Sequence, residues 1–480
     1  MSEHLIVSAS GIRGVVGEGL TPEVAARYGA AYGSFLGSAD GGAGEPSGAG
    51  ETAGAGGHVL LARDSRTSGP LLADAVAAGL RSAGWSVVDL GIAPTPTALL
   101  AVQDDVEAAG GVIVTASHNP VEWNGLKLAS PTGAFLAPED GRRVQEIYER
   151  GPGHAGWDAL GGREARAGAV EHHVERILAL PLVDVAAIAR RAPIVALDTV
   201  HGAAGPIMTL LLDRLGCRVE GLGLEPDGRF PRPPEPVPEN LGELGDRVRA
   251  SGADVGLAID PDGDRLALVD EEGEAVGEDW TLALAVEYVL DRTPGPVVTN
   301  LSSSRVIADA ARRAGAPVDL SPVGEANVAV RMRETGAVVG GEGNGGVMLP
   351  ALHLTRDAPL AATLVLGLLV AAGHGLREHL ADRERYAIAK RKVPRPEGAL
   401  EPIYRALREA VPGGAEEDLQ DGLRLDWPGE GRWLHVRPSG TEPILRVIAE
   451  APTAREASSL ADRALRVVGP GGGDPSHSVG

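Results

Sequence analysis

A pattern of strand, polar turn, glycine-terminated helix and second strand recurs three times along the chain, and it limits the fold more than any single motif. HVLLARDSRTSGPLLADAVAAGLRSAGWSVVDLG begins at His58 and ends its helix at Gly84. PIVALDTVHGAAGPIMTLLLDRLGCRVEGLG, from Pro193, has Gly216 in that place, and PVVTNLSSSRVIADAARRAGAPVDLSP, from Pro296, has Gly315. Glycine just past a helix supplies the left-handed residue that ends it, and apolar β-branched runs fit buried parallel strands. Three βαβ units predict three similar α/β domains with mixed sheets. The last region differs. WLHVRPSGTEPILRVIAEA reads as strand, loop, strand and TAREASSLADRALRVV as a helix, so a C-terminal α+β domain is expected. The divisions fall at 1–150, 151–253, 254–372 and 373–468, around a central cleft.

A chain of 480 residues, at roughly 150 residues per domain, suits this count. Aromatic residues are only 3% against 43% apolar, so the cores must be built from Val, Leu, Ile and Ala. Two stretches, 38–57 and 469–480, are largely Gly, Ala, Ser and acid and are expected to be disordered. Forty-four Lys and Arg against 66 Asp and Glu leave a formal charge of −22. That field repels phosphate backbones and anionic lipid, which argues against nucleic acid or a membrane as partner. A small anion can still be held where cations and backbone amides converge. The single Cys217 excludes an internal disulfide or a cysteine zinc cluster and fits a reducing cytoplasm. The N-terminus lacks the basic and apolar regions of a signal peptide. The longest apolar run, 358–373, has 16 residues with Pro359 and Gly367 inside it, so a buried helix is expected there. A bilayer span needs about 20.

Each repeat continues into another apolar strand that ends in an unusual polar loop, the place where open α/β sheets bind ligands. In DPDGDR, a turn lets Asp260, Asp262 and Asp264 converge, and clustered carboxylates repel unless a cation sits among them. Oxygen ligands select Mg²⁺ or Ca²⁺. An EF-hand has Glu271 in its favour at the twelfth position, but Arg265 stands where the sharp turn needs Gly, and strand patterns flank the loop. An aspartate-nucleophile phosphatase using Asp260 and a plain acidic hairpin remain alternatives.

TASHNP places Ser117 at a strand end, followed by His118. A hydrolase elbow needs glycines where Thr115 and Asn119 stand. Asn124-Gly125, read as a hairpin turn, brings Lys127 back toward Ser117. A serine with a lysine and a metal site suits phosphoryl chemistry better than acyl transfer; an ordinary Ser/Asn turn is the alternative. GGEGNGG sets Glu342 and Asn344 among glycines, suited to sugar hydroxyls or simply a flexible turn. RPSGTEP offers Arg437, Ser439, Gly440 and Thr441, a set matched to phosphate through a guanidinium, hydroxyls and backbone amides. SGIRG adds Arg13. His201, His353 and His435 read as structural residues, and no H-x₃-H spacing marks a metal site.

TASHNP, DPDGDR, GEGNGG and RPSGTEP, in this order, resemble the four active-site loops of the α-D-phosphohexomutase family. The resemblance runs from Ser8 to about Val468, with PEPVPENL and HGAAGP as further matches. It implies a phosphoserine at Ser117, and Mg²⁺ held by Asp260, Asp262, Asp264 and the Ser117 phosphate. It implies sugar contacts from Glu342 and Asn344, and a grip on the non-reacting phosphate by Arg437, Ser439, Gly440 and Thr441. Arg13, His118, Lys127 and Arg265 would line the reacting phosphoryl group, with Lys127 the preferred proton carrier. The implied reaction interconverts hexose 6-phosphate and hexose 1-phosphate through a 1,6-bisphosphate that turns end for end and also serves as activator. The partner is then a small sugar phosphate, and the chain a monomer or homodimer. Asn344 stands where many bacterial members have Ser. That version, with PALHLTRDA, is similar to a branch of archaea and some bacteria, and SASGIRGVVGEGLTPE leans toward glucosamine phosphate over glucose or mannose phosphate.

Overall fold

The structure, a computed structural model, describes residues 5–8, 11–38, 57–440 and 443–469. Apart from Ser38, Gly57 and Gly469, the two stretches expected to be disordered lie outside the described residues, as does Thr441.

The repeat is real at the level of strand order. In the second sheet the order is Leu266–Val269, Val255–Ile259, Ile194–Asp198, Arg218–Leu222; in the third it is Gly346–Met348, Val339–Glu342, Val297–Asn300, Val318–Ser321. The middle of the seven-stranded first sheet repeats it with Trp123–Ala129, Ala108–Val114, His58–Arg63 and Ser86–Ile92. In each, three strands are parallel and the fourth returns antiparallel. The parallel strands Val255–Ile259 and Val297–Asn300 are buried throughout, which is why they read as unbroken apolar runs. Gly84, Gly216 and Gly315 follow their helices with φ of 92°, 74° and 70°, the left-handed conformation that a side chain would oppose.

The fourth sheet is antiparallel throughout, in the order Ala387–Pro394, Ile444–Ala451, Arg432–Pro438, Leu423–Trp427, Glu416–Asp418. Helices Glu401–Ala410 and Ala454–Val468 cover one face, and its core is its own. The second and third sheets instead share one continuous core with the helix Ala358–Ala372, the expected buried helix. Among the described residues no helix is long and apolar enough to cross a membrane.

Three expected divisions move. Arg163–Ala165 pairs with the first sheet, beyond residue 150. The division at 253/254 cuts the second sheet, because the aspartate hairpin belongs to the sheet its backbone pairs with. Leu376 and Leu380 remain in the shared core, so the fourth unit begins after residue 386 rather than at 373.

Candidate active site

In all three repeats the turn into the returning strand carries the polar loop, so three chemically different loops arrive at equivalent places. Residues of these loops and of the fourth domain line one cleft of about 600 Å³, including Arg13, Ser117, Lys127, Arg265, Glu342, Asn344, Arg437 and Gly440. His118 and Glu235 line both this cleft and an adjoining one of about 820 Å³.

Ser117 is buried and adopts φ 51°, a left-handed conformation that costs a non-glycine residue about 1–3 kcal/mol and must be imposed by its surroundings. The surroundings are Arg66 and Thr115. Arg66, fully buried, donates from Nη2 to Ser117 O and Asn119 O, both at 2.6 Å, and from Nη1 to Trp123 O at 2.9 Å. Its Nε donates to Asp64 Oδ2 at 3.0 Å. Thr115 Oγ1 donates to the same Asp64 oxygen at 2.6 Å and accepts from Ser117 N at 2.9 Å. The serine loop is therefore wound around one guanidinium. Ser117 Oγ lies 3.1 Å from Asp260 Oδ2 and 3.4 Å from His118 Nδ1.

Asp260, Asp262 and Asp264 are fully buried, with one carboxylate oxygen from each within 4.8 Å of the others. Gly263 at φ 74° lets the turn close, and Asp260 Oδ1 accepts from the amides of Asp264 (3.1 Å) and Arg265 (3.2 Å). Asp262 Oδ2 accepts from Lys127 Nζ and Thr95 Oγ1, both at 2.7 Å, and Asp264 Oδ2 from Arg356 Nη2 at 2.6 Å. The remaining oxygens, Asp262 Oδ1 and Asp264 Oδ1, are buried without a hydrogen-bond partner. Orphaned, convergent carboxylate oxygens are what a hard divalent cation takes, so the donor set fits Mg²⁺.

Electrostatics divides these groups. Burial, then Asp264 and Asp262, push Asp260 well above the ordinary carboxylate range. Burial acts the same way on Asp262, but the Lys127 ammonium and the hydrogen bonds from Lys127 and Thr95 outweigh it and hold that carboxyl below its usual range. Burial works against charge on Lys127, and Asp262 and Asp264 reverse that and raise it. Lys127 is thus a charged group paired with Asp262 and Asp264. Arg265, then burial and Arg13, push His118 down to about 2, so its imidazole is neutral.

Glu342 is held from three sides: Asn300 Nδ2 (2.8 Å) and Gly324 N (3.1 Å) donate to Oε1, and Arg356 Nη1 (2.9 Å) to Oε2. Asn344 Oδ1 is buried without a hydrogen-bond partner. Arg437 Nε donates to Asp421 Oδ2 at 2.6 Å; Ser439 N donates to Ile444 O, and Gly440 is exposed at the cleft. Arg13 Nη1 reaches Asn119 Oδ1 at 3.4 Å, and Arg265 Nη1 reaches Glu235 Oε1 at 3.4 Å. Asn124 and Gly125 do not form the hairpin turn expected of them. They lie inside the strand Trp123–Ala129, where a Cβ on Gly125 would stand 2.5 Å from Ile12 O. Lys127 still reaches the site, through strand register.

Arg66, Thr95 and Arg356 went unrecognised in the sequence, although RDSR ends the first repeat's strand and TRDA precedes the apolar helix. A second convergence, His173, His353 and Asp357, is arranged as a hydrogen-bonded cluster. Both imidazole Nε2 atoms lie 2.8 Å from Asp357 Oδ2, a hydrogen-bond length, whereas two ligands on a tetrahedral zinc stand about 3.3 Å apart.

Four family models match in succession: phosphoglucomutase/phosphomannomutase alpha/beta/alpha domain I over residues 4–153, domain II over 171–273, domain III over 277–386, and the C-terminal domain over 389–467. A probable phosphoglucosamine mutase of Methanopyrus kandleri is 38% identical over 463 residues, 96% of each chain. A phosphoglucomutase/phosphomannomutase of Thermococcus kodakarensis is 36% identical over 462 residues, 95% of this chain and 97% of that one. The crystal structure of a phosphoglucomutase/phosphomannomutase family protein from Burkholderia thailandensis superposes with a TM-score of 0.81 at 29% identity, over 96% of this chain and 97% of the other.

Proposed function

The chain belongs to the phosphoglucomutase/phosphomannomutase family, and from that premise we propose that it interconverts hexose 6-phosphates and hexose 1-phosphates through a phosphoserine at position 117. The observation that carries this reading is the placement of Ser117 Oγ 3.1 Å from Asp260 within the buried aspartate triad, at a cleft that Arg437 also lines. The substrate we favour is glucosamine 6-phosphate, as in the name of the M. kandleri relative; glucose or mannose phosphate is the second reading, supported by the name of the T. kodakarensis relative.

Phosphoryl transfer asks for positioning and charge neutralisation more than for covalent assistance. Asp260, Asp262 and Asp264 would hold Mg²⁺, which supplies positive charge to the transferring oxygens. Lys127, Arg13 and Arg265 add side-chain cations around the same oxygens. The P–Oγ bond of phosphorylated Ser117 breaks as a bond to the sugar hydroxyl oxygen forms. The proton lost by that hydroxyl ends on Ser117 Oγ, with Lys127 the carrier we favour. Glu342 orients the sugar, and Arg437 with the backbone around Gly440 holds the other phosphate. The resulting hexose 1,6-bisphosphate turns end for end, and the second transfer restores phosphoserine; the same bisphosphate added from solution primes the unphosphorylated protein. The setting we propose is the cytoplasm, on the sequence grounds given above.

Phosphorus NMR with Mg²⁺ and a trace of hexose 1,6-bisphosphate tests this with glucosamine 6-phosphate, glucose 1-phosphate and mannose 1-phosphate in turn. Conversion to the positional isomer without free phosphate is expected, fastest for the glucosamine compound. Release of inorganic phosphate would point to a phosphatase, and no reaction with any of the three would sink the mutase reading.

A further inference from the structure

The turn 300–305, after the third repeat's first strand, works on two sides. Toward the cleft, Asn300 Nδ2 holds Glu342, and Ser303 Oγ accepts from Gly343 N at 3.0 Å, so the turn shapes the loop proposed to face the sugar. On its other side it carries the fourth domain. Leu301 O accepts from Arg424, and Ser302 Oγ meets His435 Nδ1 at 2.9 Å. His435 is fully buried, and its Nε2 lies 2.7 Å from Asp421 O. A carbonyl can only accept, so Nε2 carries the hydrogen and Nδ1 accepts from the Ser302 hydroxyl.

Asp421 is thereby tied down through its backbone while its carboxylate bridges two domains. Oδ2 accepts from Arg437 Nε at 2.6 Å and from the Val323 amide of the third domain at 3.0 Å. The adjacent amide, Gly324 N, donates to Glu342. A short path of hydrogen bonds thus joins the guanidinium at the phosphate end of the cleft to the carboxylate at its sugar end, and Asp421 is the point where it crosses between domains.

We propose that Asp421 is a positioning residue that latches Arg437 to the sugar-facing loop, so that both ends of the cleft close together and a bisphosphate is retained while it reorients. This rests on the mutase reading above. The latch engages Nε, and a guanidinium keeps its Nη edge for forked contact with a phosphate, so the two partners need not compete. A hydrogen bond between charged groups is among the stronger polar contacts, and its acceptor here also decides whether the third domain's amide is paired.

The test is Asp421→Asn in the full-length protein, which keeps a carbonyl oxygen for the Val323 amide and removes the charge facing Arg437. Calorimetric affinity for glucose 1-phosphate is expected to fall about tenfold. In turnover with hexose 1,6-bisphosphate supplied to re-prime Ser117, KM rises by a similar factor with kcat little changed. More hexose 1,6-bisphosphate appears in solution by phosphorus NMR than with the parent protein. Ser302→Ala, which removes the hydroxyl that orients His435, should move the same readouts in the same direction by less, and serves if the first variant does not fold. Unchanged affinity overturns the inference, and so does weakened affinity with no increase in bisphosphate escape, which a merely misplaced arginine would give. A parent protein that binds hexose phosphate without isomerising it would instead overturn the mutase reading, while the affinity comparison would still judge Asp421.

Discussion

The second and third domains are joined through hydrocarbon; the third and fourth are joined through hydrogen bonds and ion pairs. Across the first seam, Leu211 and Leu212 of one domain share a core with Leu282, Val286, Leu364 and Val365 of the other, all fully buried. Across the second, Arg305 N donates to Glu450 Oε1 at 3.0 Å, Arg305 pairs with Asp426, and Ser302 meets His435. Opening the first seam would expose apolar surface at about 25 cal/mol per Å², without compensation. Opening the second exchanges protein hydrogen bonds for water, so each costs only about 0.5–1.5 kcal/mol net. The groups proposed to make and break bonds stand on the first two domains, the group proposed to orient the sugar on the third, and the proposed phosphate grip on the fourth. The rigid part holds what must stay registered to a fraction of an ångström, and the separable part holds what must let go and grip again.

Removing the proposed phosphoryl carrier is the most drastic way to probe the rigid side. Ser117→Ala should lower turnover on the order of a thousandfold or more, with the fold intact by circular dichroism, since groups acting as one unit lose nearly everything together. A smaller loss would move the phosphoryl carrier elsewhere. Next comes the apolar seam. Leu364→Ala should cost about 2–5 kcal/mol, and calorimetry should show the second and third domains still melting in one transition. Two separate transitions would break the comparison.

The polar seam should yield more cheaply. Glu450→Gln keeps the shape but weakens acceptance from Arg305 N and from Trp433 Nε1 (2.7 Å), and should cost about 1–3 kcal/mol. The connection 381–386 should then be cut faster in limited proteolysis while the shared core keeps its melting temperature. The gentlest probe is pH. Burial pushes His435 down to about 4, below the ordinary histidine value near 6.5. A depressed folded-state value means that the contribution is complete above about 6.5 and is lost as pH falls toward 4. Melting curves across that window should show the parent falling more steeply than His435→Gln; parallel curves would separate His435 from the seam's stability.

Much of this arrangement was readable from the chain, and the exceptions have physical causes. Gly84, Gly216 and Gly315 disclosed the repeat because helix ends need a left-handed residue. The aspartates at alternate positions disclosed a convergent carboxylate cluster because a turn brings alternate side chains together. Asn124-Gly125 misled because the pair is a common turn signal, yet here glycine is required by the close approach of Ile12 O within a sheet. Arg66 stayed hidden because most of its partners are carbonyls 51 to 57 residues away, which leave no trace in side-chain pattern. Asp421 stayed hidden for a related reason: it lies in an exposed-looking hairpin beside Arg437, and only the packing of the fourth domain on the third brings it to the Val323 amide.

The most direct test of the central claim is peptide mass spectrometry of the protein after brief mixing with glucose 1,6-bisphosphate and Mg²⁺, followed by a chase with glucosamine 6-phosphate. The account predicts one phosphoryl group on the Ser117 peptide that the chase removes into sugar bisphosphate. A Ser117 peptide that never gains phosphate, or one whose phosphate leaves only as inorganic phosphate, would contradict it.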